Sequence, residues 1–177
     1  MDKVIVLSIG HTPMRQGAVC GELKEHRLNS LAALALEEAL VAKGFTVVSV
    51  DPMLSLAERV RWVNEKYPRC IALEFHHNVF NTKAKGSEMF YKAGDKVAFD
   101  FGSKVLRESS KELGLVNRGM RLASQSARGS LAWLKCNHGL LWEICFMDNP
   151  EEITKVLKDN YRSWAETVAN QIAICWP

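Results

Sequence analysis

Long apolar runs are missing from this 177-residue sequence, and nothing in it approaches the roughly 18 consecutive apolar residues of a membrane-spanning helix. The opening MDKVIVLSIG holds only four consecutive apolar residues, Val4 to Leu7, before Ser8 interrupts, too few for the core of a secretory signal. No signal peptide and no stable membrane association are therefore expected, and synthesis in the cytoplasm is. Cysteine is sparse: Cys20, Cys70, Cys136, Cys145 and Cys175 are odd in number, far apart and without a C-x-x-C pair. That argues for reduced thiols and against a disulfide framework or a zinc-thiolate centre. Repeats, low-complexity tracts and linkers rich in Pro, Gly or Ser are absent as well, so residues 1–177 are expected to form one domain with no appended module. Nor is there an excess of one charge. The 23 Lys and Arg are scattered among 20 Asp and Glu for a net +3, so nucleic acid is not expected as a partner, while an anionic polymer remains compatible.

What is present is enough apolar sequence, 47% of residues, for a sizeable core. Lys3 to Ile9 is a β-branched run stopped by Gly10 and reads as a buried strand. From Glu25 to Lys43, Leu28, Leu31, Ala32, Ala35, Leu36, Ala39 and Leu40 recur at helical spacing, with Gly44 as the stop. Phe45 to Val50 predicts a second strand, Ser55 to Glu65 a helix capped by its serine, and Arg69 to Phe75 a third strand. Glu88 to Tyr91 and Gly139 to Phe146 are further strands, Val97 to Leu113 a helix ended by Gly114, and Ile153 to Ile174 a closing helix weakened in its middle by Asn160 and Tyr161. Across Met120 to Leu134 the periodicity separates neither strand nor loop. The alternation predicts a single α/β domain with a mostly parallel mixed sheet flanked by helices on both faces, because parallel neighbours need crossover helices.

In such sheets, ligands gather beyond the carboxyl ends of the strands. His11 follows the first strand, Glu25 opens the first helix, His76 and His77 end the third strand, and Glu143 lies near the end of GLLWEICF. Imidazoles and carboxylates are ligands that zinc accepts. Taken singly, each has a plainer reading: His11 as a turn cap, Glu25 as a first-turn carboxylate favoured by the helix dipole, Glu143 as a paired charge. Glu22, three residues before Glu25, is a competing ligand. His26 and His138 are expected to be exposed.

A set of blocks in fixed order adds a different kind of signal. GHTPMRQGAVCG with KEHRLNSLAALALEEAL, then SLAERVRWVNEKY, FHHNVF, GSEMFY, GLVNRGM, RGSLAWL and LLWEICFMDNPEE resemble successive blocks of the zinc-dependent N-acetylmuramoyl-L-alanine amidases, the amidase type 3 family, over nearly the whole chain. The resemblance implies one zinc per chain held by His11, Glu25 and the H-x-N histidine His76, with Glu143 as the catalytic base. It also implies cleavage of the amide between N-acetylmuramic acid and L-alanine in bacterial peptidoglycan. Asn78 and Arg128 are candidate substrate contacts; Arg118 is a third, and for both arginines surface ion pairs are an equal alternative. The chain departs from the family pattern at Thr12-Pro13, where Gly-Gly is usual, at Glu74, where a small residue is usual, and at Cys145, where glycine is usual.

On a strand Glu74 and His76 share a face, so Glu74 either braces the imidazole or is an ordinary ion-paired carboxylate. His77, on the other face, is expected to point toward a helix or solvent and to leave the metal to His76. Without a signal peptide, the resemblance implies an endolysin or autolysin made in the bacterial cytoplasm and acting on the wall after release, with a holin-type membrane pore as the release partner. Two other classes stay open: a metal-independent muramidase working through two carboxylates such as Glu74 and Glu143, and a non-catalytic wall-binding module.

Overall fold

A computed structural model describes residues 3–176. In chain order it places strand β1 (Val4–Ile9), a small β2 (Val19–Cys20) and β3 (Leu23–Lys24) ribbon, helix α1 (Glu25–Val41), β4 (Thr46–Ser49), α2 (Leu56–Lys66), β5 (Ile71–Asn78), β6 (Ser87–Tyr91), α3 (Lys96–Leu113), β7 (Asn117–Leu122), β8 (Gly139–Phe146), α4 (Pro150–Leu157) and α5 (Arg162–Cys175). Six strands form one sheet in the order β4-β1-β5-β8-β6-β7. The first four of that order are mutually parallel, whereas β6 and β7, parallel to each other, run antiparallel to β8.

Alternation along the strands divides the core into two layers. Ile5, Leu7, Ile71, Leu73, Phe75, Leu140 and Trp142 face α1, α3 and α5 in the larger one. Val6, Ala72, Phe90 and Leu141 face Val63 of α2 and the 3-10 turn that carries Trp133 and Leu134. Both faces are therefore covered, as a parallel sheet requires.

Three elements differ from the sequence expectation. The third strand does not end at Phe75 but runs to Asn78, with a bulge between His76 and Asn78 in its pairing to β8. The closing helix is two helices. Asp159 and Asn160 take left-handed backbone angles (φ 46° and 56°), conformations that Asp and Asn tolerate, and Asp159 then accepts hydrogen bonds from the Ser163 backbone (3.1 Å) and hydroxyl (2.7 Å) at the start of α5. The unassigned segment opens with the edge strand β7 and continues in two 3-10 turns, Ala123–Gln125 and Ala132–Lys135.

Candidate metal centre and active site

β1 delivers its last residues to a crowded turn. The Gly10 amide donates to the Phe75 carbonyl (3.0 Å), and a Cβ at Gly10 would stand 2.4 Å from that oxygen and 2.5 Å from the His76 ring. Only glycine permits this approach. The chain then turns through His11 at φ 66°. Thr12 and Arg15 bond each other's backbones (3.0 and 3.1 Å), closing a tight turn with Met14 at its exposed tip. Gly17 makes the second allowance, since a Cβ there would lie 2.4 Å from Glu25 Oε2 and 2.5 Å from the His11 ring.

Those glycines let three side chains converge. His11 Nε2 lies 2.9 Å from Glu25 Oε2, and His76 Nδ1 lies 2.9 Å from Glu25 Oε1. One donor atom from each of His11, Glu25 and His76 fits within 4.8 Å of the others. Ligands at about 2.0–2.2 Å from a tetrahedral ion stand roughly 3.3–3.6 Å apart, so this donor set fits zinc. Burial opposes ionisation of Glu25, but the hydrogen bonds from His11 and His76 and that from the Ala18 amide (2.9 Å) outweigh it and hold the carboxyl well below its usual range. Burial likewise disfavours a charged His76, yet Glu25 on one ring nitrogen and Glu74 on the other (Nε2 to Oε2, 3.4 Å) push it up to about 10. A cation at this centre would displace that proton.

Glu143 stands directly across from His76 in the β5–β8 pairing. Its Oε2 is sealed from solvent and has no hydrogen-bond partner. Burial raises its pKa to about 7, with His76 pulling it down and Glu25 and Glu88 adding to the rise. A lone carboxylate oxygen beside a histidine–carboxylate cluster is placed to accept a proton from a water held there.

The remaining sequence candidates are distributed as follows. Glu74 is buried (3% exposed), accepts from Ser8 Oγ (3.2 Å) and lies 4.0 Å from Arg59 Nη1, so it is both the partner of His76 and an ion-paired carboxylate. Both of its carboxylate oxygens are thus engaged by protein groups. His77 points into the large core between Asn29 and Tyr161. Asn78 donates to Glu88 Oε1 (3.2 Å), and Arg128 sits on an exposed turn near enough to act on Glu143. Glu22 is exposed and outside the cluster. His26 and His138 are half-buried rather than exposed, because His26 Nδ1 meets the Gly10 carbonyl (3.2 Å) and His138 Nδ1 meets Asp95 (2.9 Å).

Sequence reasoning missed Arg59, Glu88 and Arg121. Arg59 and Glu88 left a signal: Arg59 is one turn before the buried Val63 on an amphipathic helix, and Glu88 shares a strand face with Phe90. A charge at an inward position needs a partner.

The profile of the family described as N-acetylmuramoyl-L-alanine amidase matches residues 5–173. The chain belongs to that family. No curated protein sequence matches it. Among solved structures, Cwp6 from Clostridium difficile is similar at 26% identity and a TM-score of 0.78 over 99% of this chain, which spans 29% of the length of the Cwp6 chain. The catalytic domain of CwlV, an N-acetylmuramoyl-L-alanine amidase from Bacillus (Paenibacillus) polymyxa var. colistinus, shares the fold at 23% identity and a TM-score of 0.79, covering 97% of this chain and 96% of that one. The catalytic domain of an endolysin targeting Clostridia Difficile shares it at 20% identity and a TM-score of 0.73, with 96% of each chain covered. The amidase fold in these relatives is the mostly parallel mixed sheet described above, and family membership supports a peptidoglycan amidase activity.

Proposed function

We propose that this chain is a zinc-dependent hydrolase of the amide bond between N-acetylmuramic acid and L-alanine in peptidoglycan. The observation that carries the reading is the unpartnered Glu143 carboxylate directly across from His76 in the His11, Glu25 and His76 cluster. Zinc bound there would supply Lewis acidity, polarising the scissile carbonyl and lowering the pKa of a water toward about 7. Glu143 takes the proton of the attacking water and returns it to the departing amine of L-alanine. Glu74 orients the His76 ring from its far nitrogen, and Asn78 and Arg128 border the substrate side. A lytic role, as endolysin or autolysin, extends the reading by analogy with the endolysin relative, and release to the wall through a partner's membrane pore belongs to the same extension.

The test is digestion of purified peptidoglycan by zinc-loaded protein. New free amino groups on L-alanine, without new reducing sugar ends, are the expected products, and chelation abolishes them. Glu143→Gln should retain its zinc by elemental analysis while turnover falls by about 10²–10⁴, whereas Glu25→Ala should lose the metal itself. Full activity in metal-free protein would refute the zinc assignment, and loss of zinc from Glu143→Gln but not from Glu25→Ala would reverse the two roles.

A further inference from the structure

Beyond Glu143, the sheet carries a second cluster that the hydrolytic step does not use. Glu88 of β6 pairs across from Glu143 of β8, and its carboxylate is almost fully buried at 6% exposure. Two arginines of β7 converge on its single oxygen Oε2: Arg118 Nε at 2.8 Å, in a directed hydrogen bond, and Arg121 Nε at 2.6 Å, close but poorly aligned for one. The other oxygen accepts from Asn78 (3.2 Å). Arg118 is further held by the Lys85 carbonyl (3.2 Å) and lies over the Phe146 ring, 5.1 Å from its centroid.

One guanidinium is enough to neutralise one carboxylate, so the cluster holds a surplus positive charge. The surplus faces outward, since both arginine side chains are about one-third exposed (31% and 32%). A guanidinium has five N–H donors in a planar fork matched to a carboxylate, and Glu88 engages only the Nε edge of each. The pair is braced from beneath and presents charge above.

Its position relative to the reaction assigns the ligand. Across the sheet the order is β1, β5, β8, β6, β7. That order sets out His11, His76, Glu143, Glu88 and then the two arginines. If Glu143 returns the proton to the leaving amine, as in the function proposed above, the departing peptide extends past Glu143 over β6 and β7, and the glycan lies on the opposite side. Adjacent strands are about 4.8 Å apart, so β7 stands roughly 10 Å from β8, with both arginines leaning back toward β6. An extended peptide covers about 7 Å in two residues. The acidic residue that follows L-alanine in the stem thus brings its carboxylate to the arginines. We propose that Arg118 and Arg121, braced on Glu88, form the docking site for the free carboxylate of the departing stem peptide, on the residue that follows L-alanine. This rests on the amidase reading and adds to it a preference for acidic over amidated stems.

Two soluble substrates test it: N-acetylmuramoyl-L-alanyl-γ-D-glutamyl-L-lysine amide, whose one free carboxylate is the glutamyl α-carboxylate, and the same compound with that carboxylate converted to a carboxamide. The zinc-loaded protein should favour the acid by about tenfold or more in kcat/KM, the usual yield of a hydrogen bond to a charged group, mostly through KM. Arg121→Gln should bring the ratio toward one by raising KM for the acid, and Arg121→Lys, which keeps the charge without the fork, should retain part of it. Arg121→Gln leaves the directed Arg118 to Glu88 bond in place, so the variant should melt near the parent temperature. Equal handling of both substrates by the parent protein, or a ratio unchanged in a folded Arg121→Gln, overturns the docking site while the amidase reading stands. Cleavage of neither substrate by zinc-loaded protein overturns both.

Discussion

His77 shows how a single residue of the FHHN block is diverted from metal chemistry. Strand alternation puts it on the core-facing side with Ile71, Leu73 and Phe75, where its Nδ1–H donates to Asn29 Oδ1 (2.8 Å) and its Nε2 accepts from the Tyr161 hydroxyl (2.8 Å). Asn29 in turn donates to the Gly10 carbonyl (3.2 Å) beside His11. The neutral tautomer satisfies both ring nitrogens, and burial, against the opposing pull of Glu25, pushes the pKa down to about 3. The unfolded chain binds this proton below about 6.5 and the folded chain only below about 3. The stabilisation from neutral His77 is therefore fully present above pH 6.5 and is lost as pH falls toward 3, by on the order of a few kcal/mol. Urea melts of metal-free protein and of His77→Gln across pH 3–8 should show their stability difference rising with pH up to about 6.5 and flat above it. A difference independent of pH would mean that His77 is not held neutral.

Among the elements, α2 contributes most to the site without reaching it. Its start is secured by a capping box between Ser55 and Glu58. One residue later Arg59 is buried at 3% exposure and donates to the carbonyls of Leu54 (3.0 Å), Pro52 (2.6 Å), Ile9 (2.7 Å) and His11 (3.1 Å). Burial lowers its pKa, with Glu74 and Asp51 opposing. The guanidinium thus ties α2 to the end of β1 and steadies the left-handed backbone of His11. Arg59→Met should cost about 3–5 kcal/mol in urea unfolding, because buried Glu74 loses its guanidinium partner and the carbonyls of Leu54, Pro52, Ile9 and His11 lose their donor, and zinc affinity should fall about 10–100-fold. Adding Glu74→Gln to that variant should recover part of the stability. Additive losses in the double variant would show that the two residues act independently.

At the scale of the whole molecule, the centre is assembled from segments far apart in the chain. His11, Glu25 and His76 come from a strand end, a helix start and a third element, and none of them holds a cation in an unfolded chain. Zinc should therefore bind the native state preferentially and raise its stability by about 2.7 kcal/mol at a free concentration of 100 Kd. For a chain of this size that is a rise in Tm of roughly 5–10 °C, measurable by calorimetry, one ion per chain and reversed by chelator. A Tm indifferent to zinc in protein that still cleaves peptidoglycan would place the metal elsewhere or dispense with it.

How much of this was legible in the sequence depends on whether a feature is local. The hydrophobic period of Glu25 to Lys43 and the β-branched run between Lys3 and Gly10 specify helix and strand through nearest neighbours, and the strand–helix alternation with its crossovers yields the α/β class. The ordered blocks carry the family. The closing helix was misread because Asp159 and Asn160 prefer helix only weakly, and their break is decided by Tyr161, which must reach His77 in a distant strand. β7 shows no period of two because NRGMRL sets Arg118 and Arg121 three residues apart across a bulge, and their partner, Glu88, lies on another strand. Local periodicity records which side of an element is buried; it does not record which buried charges meet. The brace of Arg59, the neutral His77 and the surplus charge on β7 exist only once the sheet order brings their partners within about 3 Å, the range over which hydrogen bonds act.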